Sequence, residues 1–160
     1  MMLRTLMIAL SLFLLAKPSH ADDKDRLLGT WKLLSAVHED VATKERKQVY
    51  GEHPNGYLVF TPEGRAFVIL TADGRKVPQT EQERAAALIS MSAYAGKYRL
   101  EGDKFITKVD VASNQAWKDT DQVRLYRLDG NKLYIETAPF SAPTFGGSMV
   151  RGILVWERAN

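Results

Sequence analysis

Hydrophobic and polar positions divide this chain of 160 residues into three regimes. A continuous apolar run, Leu6 to Ala16 (LMIALSLFLLA), comes first. Short segments punctuated by turn residues every dozen positions or so occupy most of the remainder. One stretch of helical period, Thr80 to Ala95, interrupts them.

The first regime reads as an export signal. Met1-Met2-Leu3-Arg4 gives a basic start, and Lys17-Pro18 followed by Ser19-His20-Ala21 closes the apolar run. A basic start, about 7–15 apolar residues and a small-x-small triplet mark a secretory signal peptide. The run is shorter than the roughly 20 residues that span a bilayer, and Pro18 stops a helix ahead of the triplet. The expectation is a signal peptide over residues 1–21, cleaved after Ala21, and one domain over 22–160. The protein is then periplasmic or secreted, with no stable membrane insertion once the signal is gone.

The second regime predicts strands. Gly29 to Glu39 is apolar-rich, a short strand is expected around Arg46 to Tyr50, and Tyr57 to Thr61 and Ala66 to Thr71 flank Pro62-Glu63-Gly64. Gly96 to Leu100 and Lys104 to Ala112 flank Glu101-Gly102-Asp103. Gln122 to Leu128 and Lys132 to Thr137 flank Asp129-Gly130-Asn131, and Met149 to Arg158 follows. Eight or nine short strands joined by tight turns indicate an antiparallel sandwich or barrel. In the third regime, Thr80-x-x-Glu83 fits a capping box, and Leu88, Met91, Ser92 and Ala95 fall on one helical face. Gly96 suits the residue after a helix. One amphipathic helix over 80–95 is expected, laying its Leu88/Met91 face against the strands.

Composition narrows the chemistry. The chain has no cysteine, which excludes disulfides, thiolate metal sites and a lipid-modified cysteine anchor. Removing 21 residues takes away Arg4 and Lys17 but no acid, leaving 20 basic against 19 acidic side chains, a net charge of +1. Nucleic-acid binding wants a concentrated basic stripe, and none is present, so no nucleic-acid partner is expected. Of the three histidines, His20 leaves with the signal. His38 and His53 carry no His-x-His or Glu-x-x-His spacing and no nucleophile elbow, so both read as surface residues, with no metal and no catalytic triad. The glycines fall at turns and form no phosphate-binding loop. No cofactor is expected.

Several segments together resemble a known family. Gly29-Thr30-Trp31-Lys32-Leu33, Pro54-Asn55-Gly56-Tyr57-Leu58, Thr61-Pro62-Glu63-Gly64-Arg65, Tyr94-Ala95-Gly96-Lys97-Tyr98, Gln122-Val123-Arg124 and Leu154-Val155-Trp156-Glu157-Arg158 occur in order. The set is similar to the bacterial and fungal lipocalin-like domain family over Leu27 to Arg158. That resemblance implies an all-β, antiparallel up-and-down β-barrel of about eight strands. Members often have a histidine in the strand equivalent to Phe105–Asp110, which here has none, so no role of that histidine is carried over. Barrel closure would bring Trp31, near the start of the first strand, against Arg158, near the end of the last. A guanidinium over an indole face is worth about 0.5–2 kcal/mol, and both residues are assigned to barrel closure rather than to a site.

The strand Gln122 to Leu128 has two faces by period 2. Val123, Leu125 and Arg127 form the more apolar one, but the resemblance centres on the face with Gln122, Arg124, Tyr126 and Leu128. The candidate ligand-binding residues are therefore Arg124, Tyr126, Gln122, Tyr98, Tyr134 and Trp156, with Trp117 at the mouth. An inward arginine needs a partner, and Glu136 or a ligand carboxylate is expected to supply it. The leading expectation is a small hydrophobic or amphipathic molecule bound in the barrel. Two alternatives stay open. One is a cofactor-free isomerase, cyclase or hydratase using Glu136, Asp110 or Tyr126. The other is a periplasmic protein–protein interaction module with a filled barrel and an exposed apolar patch.

Overall fold

Three tight turns with a glycine at positive φ (Gly64, Gly102 and Gly130) reverse the chain at one end of the molecule. Their strands line up as neighbours for that reason. The computed structural model describes residues 20–159, with side chains from Asp23 onward. Its strands are β1 Gly29–Asp40, β2 Arg46–Lys47, β3 Asn55–Phe60, β4 Arg65–Thr71 and β5 Met91–Glu101, then β6 Lys104–Ala112, β7 Asp121–Asp129, β8 Lys132–Thr137, β9 Phe140–Ser141 and β10 Met149–Arg158. Two α-helices, α1 His20–Leu27 and α2 Glu81–Ile89, complete the set with two short 3-10 turns.

The long strands run antiparallel in the order β1-β3-β4-β5-β6-β7-β8-β10, and β10 returns to pair with β1. This is the expected closed up-and-down barrel of eight strands. Two-residue strands trim the rim: β2 pairs with His38 and Glu39 of β1, and β9 with Met149 and Val150 of β10. The signal-peptide expectation falls largely on residues outside those described.

Closure is made where it was expected. Trp31 pairs with Arg158 across the β1–β10 seam, and the Arg158 guanidinium lies 4.2 Å from the Trp31 ring centroid. Arg158 also donates to the Leu28 carbonyl at 2.8 Å and to the Arg26 carbonyl, while Trp31 Nε1 donates to the Leu27 carbonyl at 2.9 Å. These bonds use the carbonyls at the end of α1, which have no partner within the helix. They hold α1 across the turn end, with Leu27 fully buried as its plug. Gly29 has φ +106°, and a Cβ there would stand 3.3 Å from Arg158 Nη1. The glycine of the Gly-x-Trp triplet lets the chain leave the helix and enter β1 beneath that arginine.

The helix expected over 80–95 is shorter than the sequence indicates. Thr80 caps it and shares reciprocal bonds with Glu83, as the capping box requires, but it ends at Ile89. From Met91 the chain is strand β5, with Ser92 and Tyr94 inward in period 2. Leu88 is 55% and Ile89 83% exposed, and no residue of α2 is buried. The expected packing of a Leu88/Met91 face against the barrel is therefore corrected. Alanine and methionine, strong helix formers, masked the alternation, and pairing with β4 on one side and β6 on the other overrides that propensity. Gly96 is likewise not a helix cap. It sits in β5 at a β-bulge, where a Cβ would fall 1.9 Å from the Lys108 carbonyl oxygen, and only glycine allows β6 to approach.

A second bulge, between Leu33 and Ser35 of β1, changes which residues face inward. Trp31 and Leu33 point to the interior before it, Ala36 and His38 after it. One extra residue moves every later side chain to the opposite face. Over the exposed wall and rim, charge is paired: Arg65 with Asp110, Arg99 with Glu101 and Asp121, Arg127 with Asp129. Tyr57, Phe67, Ile69 and Val111 form an exposed apolar strip across β3 to β6. An apolar interior within a charged exterior is the reverse of a membrane-spanning barrel.

Replacing Arg158 by methionine removes the cation over Trp31 and leaves the Leu28 and Arg26 carbonyls without their charged donor. Arg158→Met is expected to lower the unfolding free energy by about 2–3 kcal/mol, measured by urea titration followed through Trp fluorescence.

Candidate functional site

Long connections cluster at the end opposite α1, because β1–β3, β4–β5, β6–β7 and β8–β10 all cross there. Between them the barrel is open. Below the opening lies a cavity of about 470 Å³.

The inner face of the barrel, around the cavity and below it, can be read in rungs. In the uppermost, His38 pairs with Gly152, the Gly152 N–H donates to Thr137 Oγ1 at 2.8 Å, and Thr137 pairs with Arg124. One inward step down are Ala36, Leu154, Ile135 and Tyr126. Below them are Leu33, Trp156, Leu133 and Leu128, and Trp31 with Arg158 lies beneath. Leu58, Val68 and Phe105 complete the sides. The cavity is therefore polar at its rim and apolar below.

The candidate residues separate clearly. Gln122 and Arg124 line the cavity, so the amphipathic face of β7 is the inner one, and Leu125 and Arg127 are exposed outside. Arg124 Nη1 donates to the Val123 carbonyl at 2.8 Å and Nη2 to Gln122 Oε1 at 3.1 Å, with its guanidinium 5.7 Å from the Tyr94 ring centroid. Trp156 lines the cavity and is almost fully buried, its Nε1 without a partner. Trp117 sits at the mouth, edge-on to Tyr94 at 5.8 Å.

Three candidates lie elsewhere. Tyr126 is inward but serves the closed end, its hydroxyl donating to Asp23 Oδ2 of α1 at 3.2 Å. Tyr98 packs edge-on against Phe60 at 4.9 Å, beside the cavity rather than in its wall. Tyr134 points outward, with the Arg127 guanidinium 4.1 Å above its ring. It is not an aromatic wall of the cavity, because β8 turns its odd positions Leu133, Ile135 and Thr137 inward.

Glu136 does not partner Arg124 either. It faces the other side of β8 and accepts from Arg151 at 2.9 Å, and Arg151 also binds Glu39 at 2.7 Å. Hydrogen bonds from Arg151 and then Arg46 hold the Glu39 carboxyl below the usual carboxylate range. That network ties β1, β2, β8 and β10 together outside the cavity. Asp110 is exposed and paired with Arg65.

Sequence reading missed several lining residues. His38 is the main one: it lines the cavity with Nδ1 buried, and burial lowers its pKa, so it is neutral at pH 7. Its ring meets Phe140 edge-on at 5.1 Å and Tyr50 at 6.4 Å. Burial raises the pKa of Tyr50, partly offset by the nearby Ser92 hydroxyl. Among the described residues no cluster of three His, Asp or Glu is placed to hold a metal. The cavity offers apolar surface, donors and neutral hydroxyls. Asp121, its one lining carboxylate among the described residues, is tied to Arg99 at 3.1 Å.

The profile of the lipocalin-like domain family matches residues 28–159. The chain belongs to the lipocalin-like domain family. The matched range begins at Leu28, whose carbonyl Arg158 binds, and includes all ten strands. No curated protein matches the chain significantly. A lipocalin-like barrel with an open cavity is an arrangement suited to holding a ligand.

Burial, followed by the nearby Asp23 charge, pushes the Tyr126 pKa from 10.0 up to about 12. Its unfolded counterpart ionises at about 10. Above that pH the unfolded chain binds fewer protons than the folded one, so this contribution is full below pH 10 and is lost as pH rises towards about 12. Tyr126→Phe is expected to flatten part of the alkaline fall in stability, read as the change in urea midpoint between the two ends of that window.

Proposed function

We propose that this protein is exported, cleaved after Ala21, and holds a small, largely apolar molecule non-covalently inside its barrel. The observation that carries the reading is the cavity of about 470 Å³, apolar in its lower walls and polar at its rim. Small-molecule sites commonly occupy about 300–1,000 Å³, with apolar walls and a few convergent polar groups. Burial of apolar ligand surface supplies roughly 25 cal/mol per Å², and Arg124, Gln122 and Trp156 orient the guest. Among the described residues, the bonds that tie α1 to the barrel (Asp23, Arg26, Leu27) lie after the proposed cleavage point. Export thus leaves the floor intact. A periplasmic or secreted binder follows.

Other readings have less support. A cofactor-free isomerase, cyclase or hydratase needs an acid or base on the substrate, with pKa near working pH. Glu136 and Asp110 are paired outside, and Tyr126 is held at the floor with its pKa near 12. His38 is a titratable base in the rim that favours such chemistry. The interaction-module reading expects a filled barrel; its exposed apolar strip is present, but the interior is open.

Ala36→Phe projects a ring into the cavity. Uptake of the neutral fluorophore N-phenyl-1-naphthylamine is expected to weaken by about tenfold or more, with the far-ultraviolet circular dichroism unchanged. Uptake at unaltered affinity would assign the probe to the outer strip and overturn the binding reading. Mass spectrometry of protein recovered from the producing cell's exterior or periplasm is expected to find a chain starting at Asp22. Full-length chain confined to the cytoplasm overturns the export reading.

A further inference from the structure

Among the described residues, five arginines of the barrel wall are matched to carboxylates and two, Arg158 and Arg124, are not. Arg46 and Arg151 share Glu39, Arg65 holds Asp110, Arg99 holds Asp121, and Arg127 holds Asp129. Arg158 is stacked on Trp31 and donates to two carbonyls. Arg124 lines the cavity, is half-buried, and pairs with no carboxylate among the described residues.

Its protein contacts are neutral. The Val123 carbonyl and Gln122 Oε1 accept from it, and Gln122 is itself anchored by donating to Thr120 Oγ1 at 3.2 Å. A guanidinium carries five N–H donors in a planar fork, so two bonds leave donors free on a side chain already held in place. The Tyr94 ring beside it adds a further fixed support. Preorganisation of this kind lowers the ordering cost of binding. The remaining rim groups do not cancel the charge: His38 is neutral, Thr137, Ser92 and Tyr50 are hydroxyls, and Asp121 is engaged by Arg99. Directly beneath lie Ile135, Leu154 and Phe105, which offer no counter-ion.

We propose that the cavity selects amphiphiles with an anionic end, a carboxylate on an apolar body, and that Arg124 receives that carboxylate at the rim. The proposal rests on the cavity-binding reading above and adds the chemical class of the guest and its direction: apolar end towards Trp156, anion towards the mouth. A carboxylate in this place completes the arginine as Asp110 and Asp129 complete its outer-wall counterparts. A planar two-oxygen acceptor matches the guanidinium fork better than a single-oxygen group does.

The test titrates the purified full chain, preloaded with N-phenyl-1-naphthylamine, with dodecanoate, dodecanol and dodecyltrimethylammonium. Dodecanoate is expected to displace the probe at a concentration about tenfold or more lower than dodecanol, with the ammonium weakest. In Arg124→Gln the concentrations of dodecanoate and dodecanol that displace the probe are expected to converge. Arg124→Lys keeps the charge without the fork and is expected to retain only part of the preference. Dodecanoate and dodecanol competing equally in the unaltered protein overturns the proposal whether or not either variant folds. So does a preference that survives Arg124→Gln. Failure of the probe to enter at all, or of all three competitors to displace it, sinks the cavity-binding reading itself and the proposal with it. Displacement without preference sinks the anion assignment alone.

Discussion

A sheet that closes on itself needs its first and last strands to meet in one register, and here Trp31 opposite Arg158 sets that register. The contact is more than an attraction between a cation and an indole. The guanidinium also gathers the Leu28 and Arg26 carbonyls, and the indole N–H takes the Leu27 carbonyl, so the seam and the end cap are one bonded unit. Closure removes the two unpaired edges that an open sheet exposes. In a chain without cysteine, no covalent staple shares this work. The cavity exists because the same unit seals one end, which leaves the other end to remain open.

Much of this was legible in the sequence, and the parts that were not have a common cause. Turns such as Pro62-Glu63-Gly64 and Asp129-Gly130-Asn131 announce hairpins through local chemistry, and the Trp31/Arg158 closure follows once a barrel is assumed. The inner face of β7 also came out correctly, but on family resemblance rather than on hydrophobicity, which favoured Leu125. What could not be read is phase. The bulge after Leu33 depends on pairing with β10, a partner more than a hundred residues away, and no local signal marks it. Alternation counted from Trp31 puts His38 outside; with the bulge it lines the cavity. Residues 91–95 show the same limit, since their helix-forming composition yields to the strands on either side. Tyr134 was misplaced by the same parity, one position from the inward Leu133 and Ile135.

The site follows from how polarity is layered along the barrel axis. Each inward step from the rim replaces hydrogen-bonding groups with larger apolar ones: His38, Thr137 and Arg124, then Leu154 and Ile135, then Trp156 and Leu133. On the proposed reading, a guest therefore has one favourable orientation. The carboxylates suggested by sequence alone for acid–base work, Glu136 and Asp110, are used instead as struts between strands, Glu136 joined through Arg151 to Glu39 and Asp110 to Arg65. Membership of the lipocalin-like domain family agrees with this division, in which the wall is structural and the interior is left free.

The two ends of the barrel differ in what they allow the chain to become. Hairpins at the sealed end are a few residues long and bonded to the next strand, the Gly64, Asp103 and Asn131 carbonyls accepting from Tyr98, Tyr126 and Arg158, so a change of length there disturbs strand register. At the mouth, four long connections cross without being part of the seam, and no residue of α2 is buried. Length and composition can drift in those four segments while the wall beneath stays intact. Loops placed this way let one barrel be re-addressed to new guests through insertion, deletion and grafting, independently of the residues that make it fold.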